Sequence, residues 1–172
     1  WALKDAEVLC NLLEEQEHAK KCRAISKRLK KQIKQPNGLK QAAALMSIAG
    51  LMKPEQACSE VISVGGAKDF STFYGYYMLQ ALAQAGEYQQ AVDIIRQYWG
   101  GMLDLGATTF WEDFNLDWTH NAARLDDFVP EGKDDIHGDF GDYCYPSFRH
   151  SFCHGWASGP TPWMTQPIFG VK

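Results

Sequence analysis

The sequence predicts an all-α fold of successive helical hairpins, and three observations carry that prediction. Apolar residues recur at helical spacing through the first 104 residues. Glycine and proline breaks divide this region at regular intervals. Between the breaks, a helix rich in apolar residues is followed each time by one that keeps a polar face.

Taken in order, Trp1 to Leu13 is rich in Leu, Val and Ala and reads as a buried helix. Glu17 to Lys34 keeps only a narrow stripe of Cys22, Ile25, Leu29 and Ile33 under a strongly basic face, so it reads as the solvated partner. The break at Pro36-Asn37-Gly38 ends that hairpin. Leu39 to Gly50 then carries a single charge. Pro54 suits the first turn of the next helix, where a backbone N–H would lack an intrahelical partner in any case. That helix is expected to turn Ala57, Cys58, Val61 and Ile62 inward before Gly65-Gly66. Phe70 to Ala85 is uncharged and apolar on all sides. After Gly86, a helix from about Glu87 to Leu103 sets Tyr88, Ala91, Val92, Ile95, Tyr98, Trp99 and Met102 on one stripe.

Two architectures produce this alternation. An α-solenoid stacks hairpins of roughly 34 residues, and each repeat touches only its neighbours, so its helices keep a polar face. An α/α toroid closes six hairpins into a ring, with fully apolar helices inside and amphipathic ones outside. Phe70 to Ala85 offers no charged face, which favours the toroid; three hairpins would make about half of it.

A chain of 172 residues that is 45% hydrophobic can bury a core of its own, as one domain or part of a larger one. The net charge of −4 argues against a nucleic-acid partner. That average conceals a split, because residues 105–172 hold 10 of the 21 acids but only 4 of the 17 Lys and Arg. The same part holds 13 of the 22 aromatic residues and four of the five histidines. Scaffold gives way to site material near residue 104. The uncharged run from Phe70 to Gly86 contains Gln, Ser, Thr and three Tyr and falls short of the roughly 20 apolar residues a membrane span requires. No membrane partner is expected. The five cysteines are odd in number, and Cys10, Cys22 and Cys58 fall on apolar helical positions, so no disulfide framework is indicated. Opening at Trp1 without Met or a signal-like segment, the chain reads as a piece of a longer protein.

The loop Gly106-Ala107-Thr108-Thr109-Phe110-Trp111-Glu112-Asp113-Phe114 is the most informative stretch, setting two acids among three aromatic rings just after a helix. Sugar chemistry uses that combination, a carboxylate to move a proton and flat apolar faces to hold a pyranose. Thr108 and Thr109 can hold loop backbone through their hydroxyls. Asp113, facing the other way in an extended loop, reads as structural. From Leu105 to Arg149 no clear helix is expected, and a loop of that length in a compact domain is usually functional. A further helix is expected near Ser151, carrying Phe152, Cys153, His154, Trp156 and Ala157 up to Gly159-Pro160. His154 sits among small residues that would let a ligand approach, and a neutral imidazole offers one donor and one acceptor to hydroxyls. His18, His120 and His137 lie among polar residues and are expected to face solvent.

Other chemistries fit less well. Cys144, His150, Cys153 and His154 lie close together, but C-x5-H-x2-C-H matches no usual zinc pattern, so no metal is expected. Ser158 in Gly155-Trp156-Ala157-Ser158-Gly159 is not in a nucleophile elbow. No phosphate-binding glycine loop is present, and no cofactor is expected.

The run from Trp99-Gly100 through Met102-Leu103 to Gly106-Ala107-Thr108-Thr109-Phe110-Trp111-Glu112, together with Ser151-Phe152-Cys153-His154-Gly155-Trp156-Ala157-Ser158-Gly159-Pro160-Thr161-Pro162-Trp163, resembles the catalytic domain of the α-L-rhamnosidases of glycoside hydrolase family 78. The resemblance implies the C-terminal half of an (α/α)6 toroid over residues 1–172, with hairpins over 1–104, site-bearing loops over 105–150 and a further helix and tail over 151–172. It implies a carbohydrate substrate and release of terminal α-L-rhamnose with inversion, Glu112 acting as general base and His154 contacting sugar hydroxyls. Trp111 and Trp156 would be pocket walls. The general acid would lie in the earlier half of the ring, so these residues alone are expected to be inactive or nearly so and to self-associate through apolar flanks. Two alternatives stand beside it, a helical-hairpin scaffold for protein partners and a related toroid glycosidase with a different sugar.

Overall fold

A computed structural model of the protein describes residues 1–33, 35–141 and 150–171. Among the described residues the fold is all-α, with no strand and one isolated bridge between Ala122 and Asp134. None of these helices is long and apolar enough to cross a membrane. Lys34, expected to end the second helix, and Cys144 and Arg149 lie outside the described residues.

Three helical hairpins follow one another. Helices α1 (Ala2–Leu12) and α2 (Gln16–Lys30) pack along each other. Glu14, at φ 60°, turns the chain between them. A 2.7 Å ion pair between Glu7 and Arg23 fixes their register. The expectation of a buried first helix is corrected here, since α1 has no buried residue and α2 buries only Ala19. Composition made α1 look internal, but its apolar Val8, Leu9 and Leu12 lie where no described element covers them. The hairpin meets the rest at its edge, where Trp1 packs edge-on against Tyr77.

The second hairpin is better anchored. α3 (Lys40–Ile48) packs on α5 (Gly75–Gln84) and buries Ala43 and Ala44 in the core that they share. α4 (Pro54–Ala57) opens on its proline and continues as a π-helical turn over Cys58–Ile62, with Ala57, Cys58 and Ile62 inward and Val61 half-buried. Lys40 is buried at the head of α3, where its Nζ donates to the Gly66 carbonyl at 2.7 Å and lies over the Phe70 ring. Burial pushes its ammonium below the ordinary lysine value.

Helix α5 starts at Gly75, five residues later than the apolar pattern suggested. The hydroxyls ahead of it bond elsewhere: Ser71 Oγ accepts from the Tyr74 N–H, and Thr72 Oγ1 donates to the Glu112 carbonyl. Gly75 is the residue that fits, because a Cβ there would stand 2.7 Å from the Trp99 ring. α6 (Tyr88–Asp104) buries Ala91, Ile94, Tyr98, Trp99 and Met102. Ile94 joins the expected stripe, whereas Tyr88 is exposed.

The C-terminal part departs most from expectation. No helix begins at Ser151; His154 is extended, short 3-10 turns cover Leu116–His120 and Gly155–Ala157, and α7 (Pro160–Trp163) runs into a π-helical turn over Met164–Ile168. The backbone from Ser151 to His154 is not helical because it bonds to the 110–112 loop instead of to itself. Trp163, fully buried, ties α7 to α5 by donating Nε1–H to the Leu79 carbonyl at 2.8 Å.

Candidate functional site

The loop that carries Glu112 leaves α6 through Gly106, whose φ of +90° favours glycine and whose Cβ would lie 2.5 Å from Asp126 Oδ1. From there the backbone is held residue by residue against the segment at 150–154. Thr109 Oγ1 donates to the Phe152 carbonyl, as its position in the loop suggested. His154 N–H donates to Phe110 O and Glu112 N–H to Ser151 O, each at 2.8 Å. The Glu112 carbonyl accepts twice, from Thr72 Oγ1 and, at 2.7 Å, from Trp156 Nε1. Phe114 O accepts from the buried Tyr98 hydroxyl.

This clamping places Glu112 at the wall of a groove of about 520 Å³ shared with Gln41, Thr72, Phe73, Tyr74 and Trp156. Glu112 itself is only 3% exposed. One carboxylate oxygen, Oε2, accepts from Ser151 N–H at 3.1 Å. The other, Oε1, makes no hydrogen bond among the described residues and stands 3.9 Å from Nδ1 of the half-buried His154. A gap of that size suits a bridging hydroxyl or water. His154 packs against the Trp156 ring at 4.2 Å between centroids, and Phe73 packs on the same indole at 5.6 Å.

Glu112, His154 and Trp156 are thus brought together; Trp111 is not with them. Trp111 is 0% exposed, wedged between Phe114 and Phe152, so it supports the loop from behind and offers no face to a ligand. The pocket-wall role expected for it is corrected on that ground. The groove's aromatic surface comes instead from Phe73, Tyr74 and Trp156. Phe73 and Tyr74 looked in the sequence like part of an all-apolar helix, and their exposure is what marks them out.

Asp113 borders the same groove, contrary to the simple alternation of an extended loop. Its Oδ1 accepts from Phe114 N–H, and its own N–H donates to His150 Nε2 at 3.0 Å. His150 is buried, and no partner for its Nδ1 is found among the described residues. Burial holds the His150 pKa below its ordinary 6.5 and lifts that of Asp113 above its ordinary 3.8, the Phe114 N–H opposing the latter in part.

These shifts act on stability with opposite signs. For His150 the unfolded state binds more protons, so its contribution is complete above 6.5 and is lost as pH falls toward the lowered folded value. For Asp113 the folded state binds more protons, so stability is lost as pH rises from 3.8 through the raised value. Asp113→Asn keeps the acceptor for Phe114 N–H and removes the buried charge. It is expected to be more stable than the parent at about pH 7 and equal to it at about pH 3 in urea denaturation; equal stability at both would show that the charge costs nothing.

The remaining histidines divide. His18 and His120 are exposed as expected, whereas His137 is half-buried and packs on Phe152 at 5.0 Å. No group of three or more His, Cys, Asp or Glu is set to hold a metal ion among the described residues.

No protein-family model matches the chain, and no curated protein matches it.

Proposed function

We propose that this chain is the C-terminal half of the (α/α)6 catalytic domain of an inverting glycoside hydrolase that releases terminal α-L-rhamnose from glycans or glycosides. The observation that carries the reading is the Glu112 carboxylate, held by the Ser151 N–H beside His154 and the exposed Trp156 at a groove large enough for a sugar ring. The choice of sugar rests on the resemblance of the 99–112 and 151–163 segments to the rhamnosidases of family 78.

In this reading Glu112 takes a proton from water, and the water attacks the anomeric carbon from the face opposite the leaving oxygen. A second carboxyl, contributed by the earlier half of the ring, protonates that oxygen, the two groups standing roughly 6.5–9.5 Å apart so that the water fits between them. Ser151 N–H steadies Oε2 and leaves Oε1 for the water. His154 meets a rhamnose hydroxyl, and Trp156 offers its ring to the sugar's C–H face. The uncovered apolar side of α1 supports the same picture: in a closed ring the preceding hairpin packs on it, and without that hairpin it promotes self-association.

The test is an assay of the intact gene product on an aryl α-L-rhamnoside with the anomer followed by NMR. β-L-Rhamnose should appear first; no rhamnose released, or the α anomer first, rejects the reading. His154→Ala is expected to raise KM by about 10- to 100-fold, the worth of one or two hydrogen bonds to a buried partner, with kcat nearly unchanged. A fall confined to kcat would remove His154 from binding.

A further inference from the structure

We propose that His150, as the neutral imidazole, is a positioning residue for Glu112: it holds the peptide that follows the base and lets go of it in acid. The inference rests on the reading of Glu112 as general base. Three hydrogen bonds join residues 150–151 to residues 112–113: Glu112 N–H donates to the Ser151 carbonyl at 2.8 Å, Ser151 N–H to Glu112 Oε2 at 3.1 Å, and Asp113 N–H to His150 Nε2 at 3.0 Å. The last of these closes a clamp on one peptide unit. Its carbonyl, at Glu112, accepts from Thr72 and Trp156, and its N–H, at Asp113, goes to His150. With both polar ends tied, the backbone torsion that leads out of Glu112 is set.

The imidazole is itself held in place. It is 4% exposed, with the Phe152 ring at 4.8 Å, Trp118 at 5.8 Å and Trp111 at 6.4 Å between centroids. Gly141 lies so close that a Cβ there would stand 2.9 Å from His150 Cβ. A neutral imidazole that accepts through Nε2 carries its one proton on Nδ1. Protonation of Nε2 ends the bond, because a ring N–H then faces a backbone N–H. The contact therefore responds to charge, which an apolar ring in the same space does not.

Titratable groups face the imidazole from several sides. Asp113 and Glu112, on the 110–114 loop, favour the cation, and His137 opposes it. His154, on the same segment as His150, stands 3.9 Å from Glu112 Oε1. The turn that meets the ring through Trp118 carries Asp117 and His120, both exposed. Burial outweighs the two carboxylates, so the clamp is closed at neutral pH and opens below the ordinary 6.5.

The test compares the intact gene product with its His150→Gln and His150→Phe variants on an aryl α-L-rhamnoside from about pH 4.5 to about pH 8, with hydrogen exchange of the Asp113 amide read in parallel. A Gln side-chain oxygen accepts at every pH; Phe keeps a ring and has no acceptor. At about pH 7, His150→Phe is expected to lower kcat by about 10- to 100-fold with KM within about twofold of the parent, and to speed exchange at Asp113 by about 5-fold or more. His150→Gln should restore both, and its kcat should hold to lower pH than the parent's. Parental kcat and exchange in His150→Phe, equal losses in the two variants, or an acid limb unmoved in His150→Gln overturns the proposal. Should His150→Phe not fold, the acid limb of His150→Gln decides. If the parent releases no rhamnose, the reading of Glu112 falls and exchange alone decides on the clamp: faster in His150→Phe but not in His150→Gln supports it, and equal in all three overturns it.

Discussion

Exchanging Glu112 for Gln is expected to lower the turnover of the intact gene product on an aryl α-L-rhamnoside by about 10²- to 10⁴-fold, the range for loss of a positioned general base. The substitution isolates chemistry from architecture. A Gln side-chain oxygen still accepts from Ser151 N–H, and the two bonds to the residue 112 carbonyl do not involve the side chain at all. The melting temperature and KM should therefore stay close to the parent's while kcat falls, the signature of an interaction made only in the transition state. Near-parental turnover with the fold intact would remove Glu112 from the reaction. Loss of turnover together with loss of folding would show that the carboxylate serves as a clip for Ser151.

Trp163→Ala is expected to cost about 3–5 kcal/mol of folding stability, the range for truncating a large buried aromatic residue. Trp163 is fully buried, and its indole N–H is bonded to Leu79 in the middle of α5. Truncation leaves a cavity and also breaks the tie between α7 and the central helix. Trp163→Phe separates the two effects, since it keeps most of the buried surface and loses only the hydrogen bond, about 1 kcal/mol. Urea denaturation of both variants reads the difference. Equal losses would mean that the hydrogen bond, not the packing, secures α7. Against a typical stability of roughly 5–15 kcal/mol, the alanine variant stands at the edge of folding.

What the sequence disclosed was governed by near neighbours. The α6 stripe from Ala91 to Met102, the helix opening at Pro54 and the loop beginning at Gly106 each follow from residues a few positions apart. What stayed hidden depends on partners distant along the chain. The start of α5 at Gly75 is set by Thr72 bonding to Glu112, 40 positions away. The extended conformation of His154 comes from pairing with Phe110, where helical spacing alone predicted a helix. Buried Lys40 and His150 are matched by a carbonyl at Gly66 and an amide at Asp113 that no local pattern announces. For α1 the error ran the other way, because an apolar composition shows that a surface wants cover and not that cover is present.

The two donors on the Glu112 carbonyl come from opposite flanks, Thr72 ahead of α5 and Trp156 in the turn before α7. The loop backbone is thereby fixed at residue 112, while the carboxylate itself is held by the Ser151 N–H. On the proposed reading the base is ordered when the polypeptide collapses, so an arriving sugar would meet a preset contour and lose less entropy on capture. On that reading the same arrangement would leave the cleft little slack to remould itself around a misfitting ring, and selectivity would be built in at the moment of folding.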